Sequence, residues 1–220
     1  MDYVYNSFCQ AGEPADLGVV KVSMGHSQSE KKSNHERIVR TAGRRLREKG
    51  LEAVAIADVM KEIGLTVGGF YKHFESRDDL VIEALRAATS TWARPEEAAA
   101  SDRPPLSFGS LVDAYLSEKH RDRPDSGCLI GALVGDFGRS NKRIRGLATE
   151  HIRSALELIV GLLPGTTRES ARKKAALTLS ALVGALALSR AVSDEPFSDE
   201  ILQSVRELLK SVGTTDELAP

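Results

Sequence analysis

Two thiols and five histidines are the most reactive groups in this 220-residue sequence, which carries 30 Lys and Arg against 31 Asp and Glu for a net charge of -1. Cys9 and Cys128 form no disulfide framework, no CxxC pair and no metal-ligand cluster, a pattern that fits the reducing cytoplasm. Cys128, in SGCLIGAL, falls just inside a predicted helix start, where the helix dipole favours the thiolate. With His120 and a carboxylate such as Asp136 it would compose a helical enzyme's nucleophile and base; alone it would compose a thiol-based redox sensor. Against the enzyme, no nucleophile elbow, phosphate loop or HExxH accompanies it. The plainer reading is a small, buried, apolar cysteine. His120 and His151 lack partners at metal spacing and read as structural or surface groups, so neither a metal nor a cofactor is expected.

A second constellation is denser. Thr66-Val67-Gly68-Gly69-Phe70-Tyr71-Lys72-His73, followed by Arg77, mixes hydroxyl, phenol, ammonium and guanidinium donors with paired glycines. These are the groups that grip phosphates and read base edges. Glycine within a helix costs roughly 1 kcal/mol against alanine. Either close approach of the backbone to another surface or close packing on a neighbouring helix would offset that cost.

The elements that must hold these groups are helical. Phe, Tyr and Trp make up only 5% of the chain beside abundant Ala, Leu, Glu and Arg, which favours an all-α class over sheet. Ser33 with Glu36 reads as a capping box, and Ile38, Val39, Ala42 and Leu46 then share one face as far as Lys49-Gly50. The opposite face carries Arg37, Arg40, Arg44 and Arg47, open to reading as a solvated flank or as phosphate contacts. Two short helices, Ile56 to Ile63 and Val67 to His73, flank Gly64-Leu65-Thr66 with Thr66 as N-cap; such a tight glycine turn is the helix-turn-helix arrangement. Ser76 with Asp79 caps a long helix running to about Arg94. Further helices are predicted at 107–121, 127–138, 140–163, 167–192 and 198–212, the 167–192 helix introduced by a Thr166/Glu169 box.

The charge is uneven. Residues 24–76 hold ten Lys or Arg against seven acids, while the flanking stretches are acidic. A uniformly basic nucleic-acid coat is excluded and a local patch is not. No apolar run reaches the ~18 residues of a membrane helix, so no membrane partner is expected. Residues 1–23 lack helical period and a secretory pattern, and Met24 reads as a natural start.

The stretch IADVMKEIGLTVGGFYKHFESRDDLV resembles the helix-turn-helix core of the tetracycline-repressor-like (TetR) family of bacterial transcriptional regulators, over roughly residues 33–85. The turn Gly64-Leu65-Thr66, Gly68, the Tyr71/Phe74 pair and the Ser76-Arg77-x-Asp79-Leu80 start carry the likeness. Two positions depart from it: Val54-Ala55 where a hydroxyl cap is common, and Gly69 where a small hydroxyl residue is frequent. The resemblance implies a cytoplasmic regulator, a repressor in most readings, that binds a near-palindromic double-stranded operator as a homodimer and is released by a small-molecule effector. It divides the chain into an extension and basic arm at 1–32, a DNA-binding head at 33–79 and a ligand-binding, dimerising body at 80–220. In the head, Thr66, Tyr71, Arg77 and Arg44 would meet phosphates. Val67, Lys72 and His73 would face bases, with Gly68 and Gly69 at the closest approach. In the body, Trp92, Leu116, His120, Cys128, Leu129 and Phe137 are the expected cavity lining. The small residues of 167–192, with the Leu and Val face of 201–212, would form a four-helix bundle across the two-fold axis.

Overall fold

The computed structural model describes residues 28–89, 105–163 and 167–214. The 1–23 segment and Trp92 lie outside these. Within them the chain is helical throughout, in the order α1 (Gln28–Lys49), a 3-10 turn (Leu51–Ala53), α2 (Ile56–Glu62), α3 (Val67–Phe70), α4 (Arg77–Thr89), α5 (Phe108–Tyr115), α6 (Glu118–Asp122), a second 3-10 turn (Pro124–Ser126), α7 (Leu129–Arg139), α8 (Lys142–Gly161), α9 (Arg168–Ala191) and α10 (Glu195–Thr214).

Helix α1 already runs through Ser33, which is exposed and mid-helix, so the Ser33/Glu36 box is overturned. The preceding QSEKK residues are good helix formers and need no stop there. The segment 107–121 is two helices, because Ser117 bonds back to the Ala114 carbonyl at 2.8 Å and accepts the His120 amide at 3.2 Å, starting a new helix. Helix α9 is capped by Thr167, whose hydroxyl accepts the Ser170 amide at 3.3 Å, and not by Thr166. Ser76 does accept the Asp79 amide at 3.2 Å, and its hydroxyl donates to the Asp79 carboxylate at 2.7 Å.

Two apolar cores result. One gathers Ile38, Leu46, Val59, Met60, Phe70 and Leu80 of the first four helices and continues into Leu133 and Phe137 of α7 and Ile144 of α8. The other holds Val112, Leu116, Leu182, Leu186, Leu202 and Leu209. Helix α9 packs on both α8 and α10. It is long and apolar enough to cross a membrane by composition alone, yet Lys174, Thr178 and Ser189 are among its buried residues. Helix α7 is shared: Leu129, Leu133 and Phe137 join the first core, and the same helix packs on α9.

Candidate nucleic-acid interface and body cavity

The turn between α2 and α3 depends on Gly64, whose φ of 72° lies in the left-handed region that glycine enters without steric cost. Leu65 then donates to the Met60 carbonyl at 2.9 Å, and Thr66 accepts the Gly69 amide at 3.2 Å, capping α3. From outside the turn, Arg37 donates to the Ile63 carbonyl at 2.8 Å and fixes its approach to α1. Helix α2 has Ala55 at its N-cap, and no side chain bonds there.

Phe70 and Phe74 turn inward and stack with ring centroids 5.3 Å apart. That anchoring leaves Thr66, Val67, Gly68, Tyr71 and Lys72 exposed, with Val67 at 45% and Tyr71 at 64% accessibility. A Cβ on Gly68 would meet nothing within 4 Å, whereas one on Gly69 would lie in ordinary contact with Thr66 and Met60. Packing inside the chain therefore does not account for Gly68. One exposed face carries a hydroxyl, a branched aliphatic, a phenol and an ammonium beside bare backbone.

Three of the expected contacts have internal duties. Arg77 donates to the Val54 carbonyl at 2.8 Å and to the Leu51 carbonyl, tying the 3-10 turn to the start of α4. Arg44 is paired with Glu48 and Glu62. His73 is half-buried, its ring 5.8 Å from that of His35, and its Nδ1 has no hydrogen-bond partner among the described residues. Burial, with His35, Lys31 and Lys72 adding to it, holds its pKa below the ordinary histidine value. His35 in turn bonds Glu83 of α4 at 2.5 Å and stacks on Phe74. The sequence missed Arg45, which joins Asp58 and Glu62 of α2 at 3.0 and 3.1 Å. Only the fold shows which arginines in a basic run are spent internally.

Residues 38–84 match the family model described as bacterial regulatory proteins, tetR family. An HTH-type transcriptional regulator of Mycobacterium tuberculosis is 29% identical over 182 residues, which is 79% of this chain and 93% of that protein. The structure of a TetR transcriptional regulator from Legionella pneumophila superposes with a TM-score of 0.67 at 25% identity, covering 80% of this chain and 95% of the other. A TetR-family regulator from Cytophaga hutchinsonii shares the fold with a TM-score of 0.65 at 19% identity, covering 84% and 98%. Residues 38–84 thus carry a TetR-type helix-turn-helix, and the described chain shares the fold of TetR-family transcriptional regulators.

The body holds a cavity of about 240 Å³. Leu111, Leu129, Leu158, Ile159 and Leu182 supply most of its wall, and Tyr115, Cys128, His151 and Ser154 supply polar atoms. Of the expected lining, Cys128 and Leu129 are there. Leu116 and Phe137 sit in the two cores, and His120 stands behind the wall. His151, read from sequence as structural or surface, lines the cavity; its i, i+3, i+4, i+7, i+8 relation to Ser154, Ala155, Leu158 and Ile159 on α8 is the signal that was available.

Cys128 and His120 do meet, but through backbone. His120 Nδ1 donates to the Tyr115 carbonyl at 2.7 Å, so its Nε2 is left to accept the Cys128 amide at 2.9 Å. Burial holds this imidazole neutral, its pKa below the ordinary value. Asp136 is engaged elsewhere: its carboxylate accepts the Leu51 amide at 2.9 Å and pairs with Arg139. The nucleophile, base and carboxylate set is thus not assembled. Burial, the larger cause, and the neighbouring Cys128 push the pKa of the Tyr115 phenol up.

The Asp136 contact is one part of a joint between head and body. Asn141 donates to Asp78 at 2.8 Å, and Arg143 pairs with Asp79 at 3.1 Å. Asn141 also accepts the Ile144 amide at 3.1 Å, so one side chain caps α8 and touches α4.

Proposed function

We propose that this regulator binds a near-palindromic operator as a homodimer, acts as a repressor, and is released when a small molecule fills the body cavity. The observation that carries the DNA reading is the bare backbone of Gly68 within an exposed face of Thr66, Val67, Tyr71 and Lys72. A groove-entering helix needs such a face: phenol and hydroxyl for phosphates, Lys72 for a guanine edge, Val67 for a thymine methyl. Arg77 and Arg44 act here by holding the helices, and the exposed Lys31 and Lys32 add salt-sensitive attraction.

A single head reads one half-site and binds weakly. Support for a two-fold pair comes from Leu177 and Leu188 on α9 and Phe197 and Leu208 on α10, all about half exposed or more. Helices α9 and α10 already pack together, so a second copy completes four helices. Such a pair grips DNA only when its heads stand about one helical turn, roughly 34–36 Å, apart. Two helices link cavity and head: α4, whose Ala88 borders the cavity, and α7, which starts at the cavity and carries Asp136 in its last turn. A ligand that prefers the wrongly spaced form releases DNA, and a coupling of about 1–3 kcal/mol gives roughly 5–150-fold relief.

The test is to measure dimer formation and binding to the DNA upstream of the chain's own gene, over a salt series, with and without candidate effectors. Specific, salt-dependent binding of a dimer supports the reading. Binding that ignores sequence, or a monomer at micromolar concentration, overturns it.

A further inference from the structure

Arg47 lies in the groove between α1 and α4 and, like Arg190 and Arg206, bonds only main-chain carbonyls among the described residues, but it alone of the three stands behind Ala88 of the cavity wall. It lies in the last turn of α1, with its Nε buried and without a hydrogen-bond partner among the described residues. Its guanidinium makes two long contacts to neutral carbonyls, Gly43 at 3.4 Å and Ala88 at 3.3 Å, and no ion pair among the described residues. Arg44 and Arg45, on the same helix, are paired with carboxylates. Removing a cation from water without a counter-charge is costly, and a site that breaks this rule without visible compensation marks a place for an outside partner.

The position of that charge matters. Ala88, which takes the Arg47 bond through its carbonyl, borders the body cavity, and it also borders the groove between α1 and α4 that Arg47 lines. The guanidinium therefore stands directly behind one wall of the cavity. Its charge reaches two lining groups: it lowers the pKa of His151, after the larger effect of burial, and it is itself influenced by Cys128 and, more weakly, by the Asp125 carboxylate, which forms no ion pair with it. Burial lowers the pKa of Arg47, the sign of a cation short of solvation. Apart from Tyr115, Cys128, His151 and Ser154, the cavity lining is aliphatic.

We infer that the effector of this cavity is an amphipathic monocarboxylate, its hydrocarbon part among Leu111, Leu129, Ile159 and Leu182 and its carboxylate drawn to Arg47 beside Ala88 and His151. This rests on the effector reading above and names the class of ligand. A planar guanidinium suits a carboxylate, which can take two parallel hydrogen bonds from it. Because Arg47 belongs to the head and the apolar wall to the body, the same ligand spans both parts. Its carboxylate would compete with the Gly43 and Ala88 carbonyls for the guanidinium and so pull on the end of α1.

The experiment compares octanoate with octanamide, which keeps the shape and loses the charge, by calorimetric titration of the full chain, and repeats both with Arg47→Met. Octanoate is expected to bind at least about tenfold tighter than octanamide, the scale of a hydrogen bond to a charged group. Arg47→Met is expected to erase the difference by weakening octanoate alone. Equal affinity of the two probes for the unaltered chain overturns the inference without recourse to any variant. So does the absence of saturable octanoate binding at millimolar concentration, or a preference that survives Arg47→Met. Operator affinity, measured alongside, separates the two readings: an Arg47-dependent carboxylate that leaves DNA binding unchanged upholds this site and overturns release, while a neutral compound that binds without charge preference and releases DNA does the reverse.

Discussion

Glycine has opposite meanings in the head and in the body. In α3, Gly68 faces open space, so its missing side chain leaves a vacancy for something outside the chain. In the body, a Cβ on Gly127 would lie 2.8 Å from His120 Nε2, and one on Gly131 would lie 2.9 Å from Leu186 and 3.0 Å from the Tyr115 hydroxyl. There the chain has filled the vacancy itself. The proposed function gives the bare backbone of the head to DNA, whereas the body uses its glycines for close packing. The same residue therefore predicts loss of binding in one region and loss of stability in the other.

The largest expected effect comes from breaking that contrast at Gly68. Gly68→Leu should fold normally yet lose about 2–6 kcal/mol of operator affinity, two base contacts at roughly 1–3 kcal/mol each, as fluorescence anisotropy would read. Unchanged operator affinity would remove the interface from this face. In the body, Gly127→Ala should cost about 1–3 kcal/mol of unfolding free energy by overpacking, because the ring it meets is held by hydrogen bonds on both nitrogens. Urea denaturation checks this, and operator affinity of the folded fraction should be unchanged.

Much of the head was legible from sequence because its determinants are local. Gly64, Thr66, Phe70, Phe74 and Ser76 each act within four residues of themselves, so spacing alone assigns them. The roles of Arg77, Arg47 and Asp136 were not legible. Arg77 bonds carbonyls 23 and 26 residues away, and Asp136 bonds an amide 85 residues away; no periodicity encodes such pairs. The cavity was legible only in part. Helical period shows which residues share a face, and Phe137 shares one with the lining residues Leu129 and Ile130, yet whether a face meets a neighbour or a void depends on helices far apart in sequence. Ser33 misled because its capping signal competes with helix formers on both sides.

Removing the Asp136 carboxylate sharpens the comparison at the seam between the regions. Asp136→Ala leaves the Leu51 amide without its acceptor, a loss of about 1–3 kcal/mol. The contact joins head to body, so operator affinity should fall along with the thermal midpoint.

Acid supplies a perturbation that acts on both regions. His73 in the head and His120 and His151 in the body all have pKa values held below the ordinary 6.5, chiefly by burial. The unfolded chain takes up protons at these rings near pH 6.5 while the folded chain does not. Stability is therefore full above that pH and declines as pH falls toward the depressed folded values. A urea midpoint that is flat between pH 7.5 and pH 5.5 would contradict these environments.

The smallest effect has the opposite sign. Gly68→Ala should raise stability by about 0.5–1 kcal/mol, since a mid-helix glycine is replaced where space is open. A drop in stability would show that the open space is not open.

The joint at Leu51 bears on how such chains diversify. Gly50 has φ of 85°, and a Cβ there would fall 2.6 Å from the Asp136 carboxylate, so the body reaches the head at a glycine turn and binds a main-chain amide. Every amino acid except proline presents that amide. On its own side the body invests a named carboxylate; on the other side it asks mainly for a glycine and a turn. The neighbouring Arg143–Asp79 pair is largely solvated and contributes little. A connection read through backbone on one side tolerates free substitution there, so operator preference can drift while the body stays constant. It also gives the protein engineer a place to cut: a foreign helix-turn-helix that offers glycine at this turn, carboxylates at the Asp78 and Asp79 positions and an apolar face for Leu133, Phe137 and Ile144 can be coupled to this body.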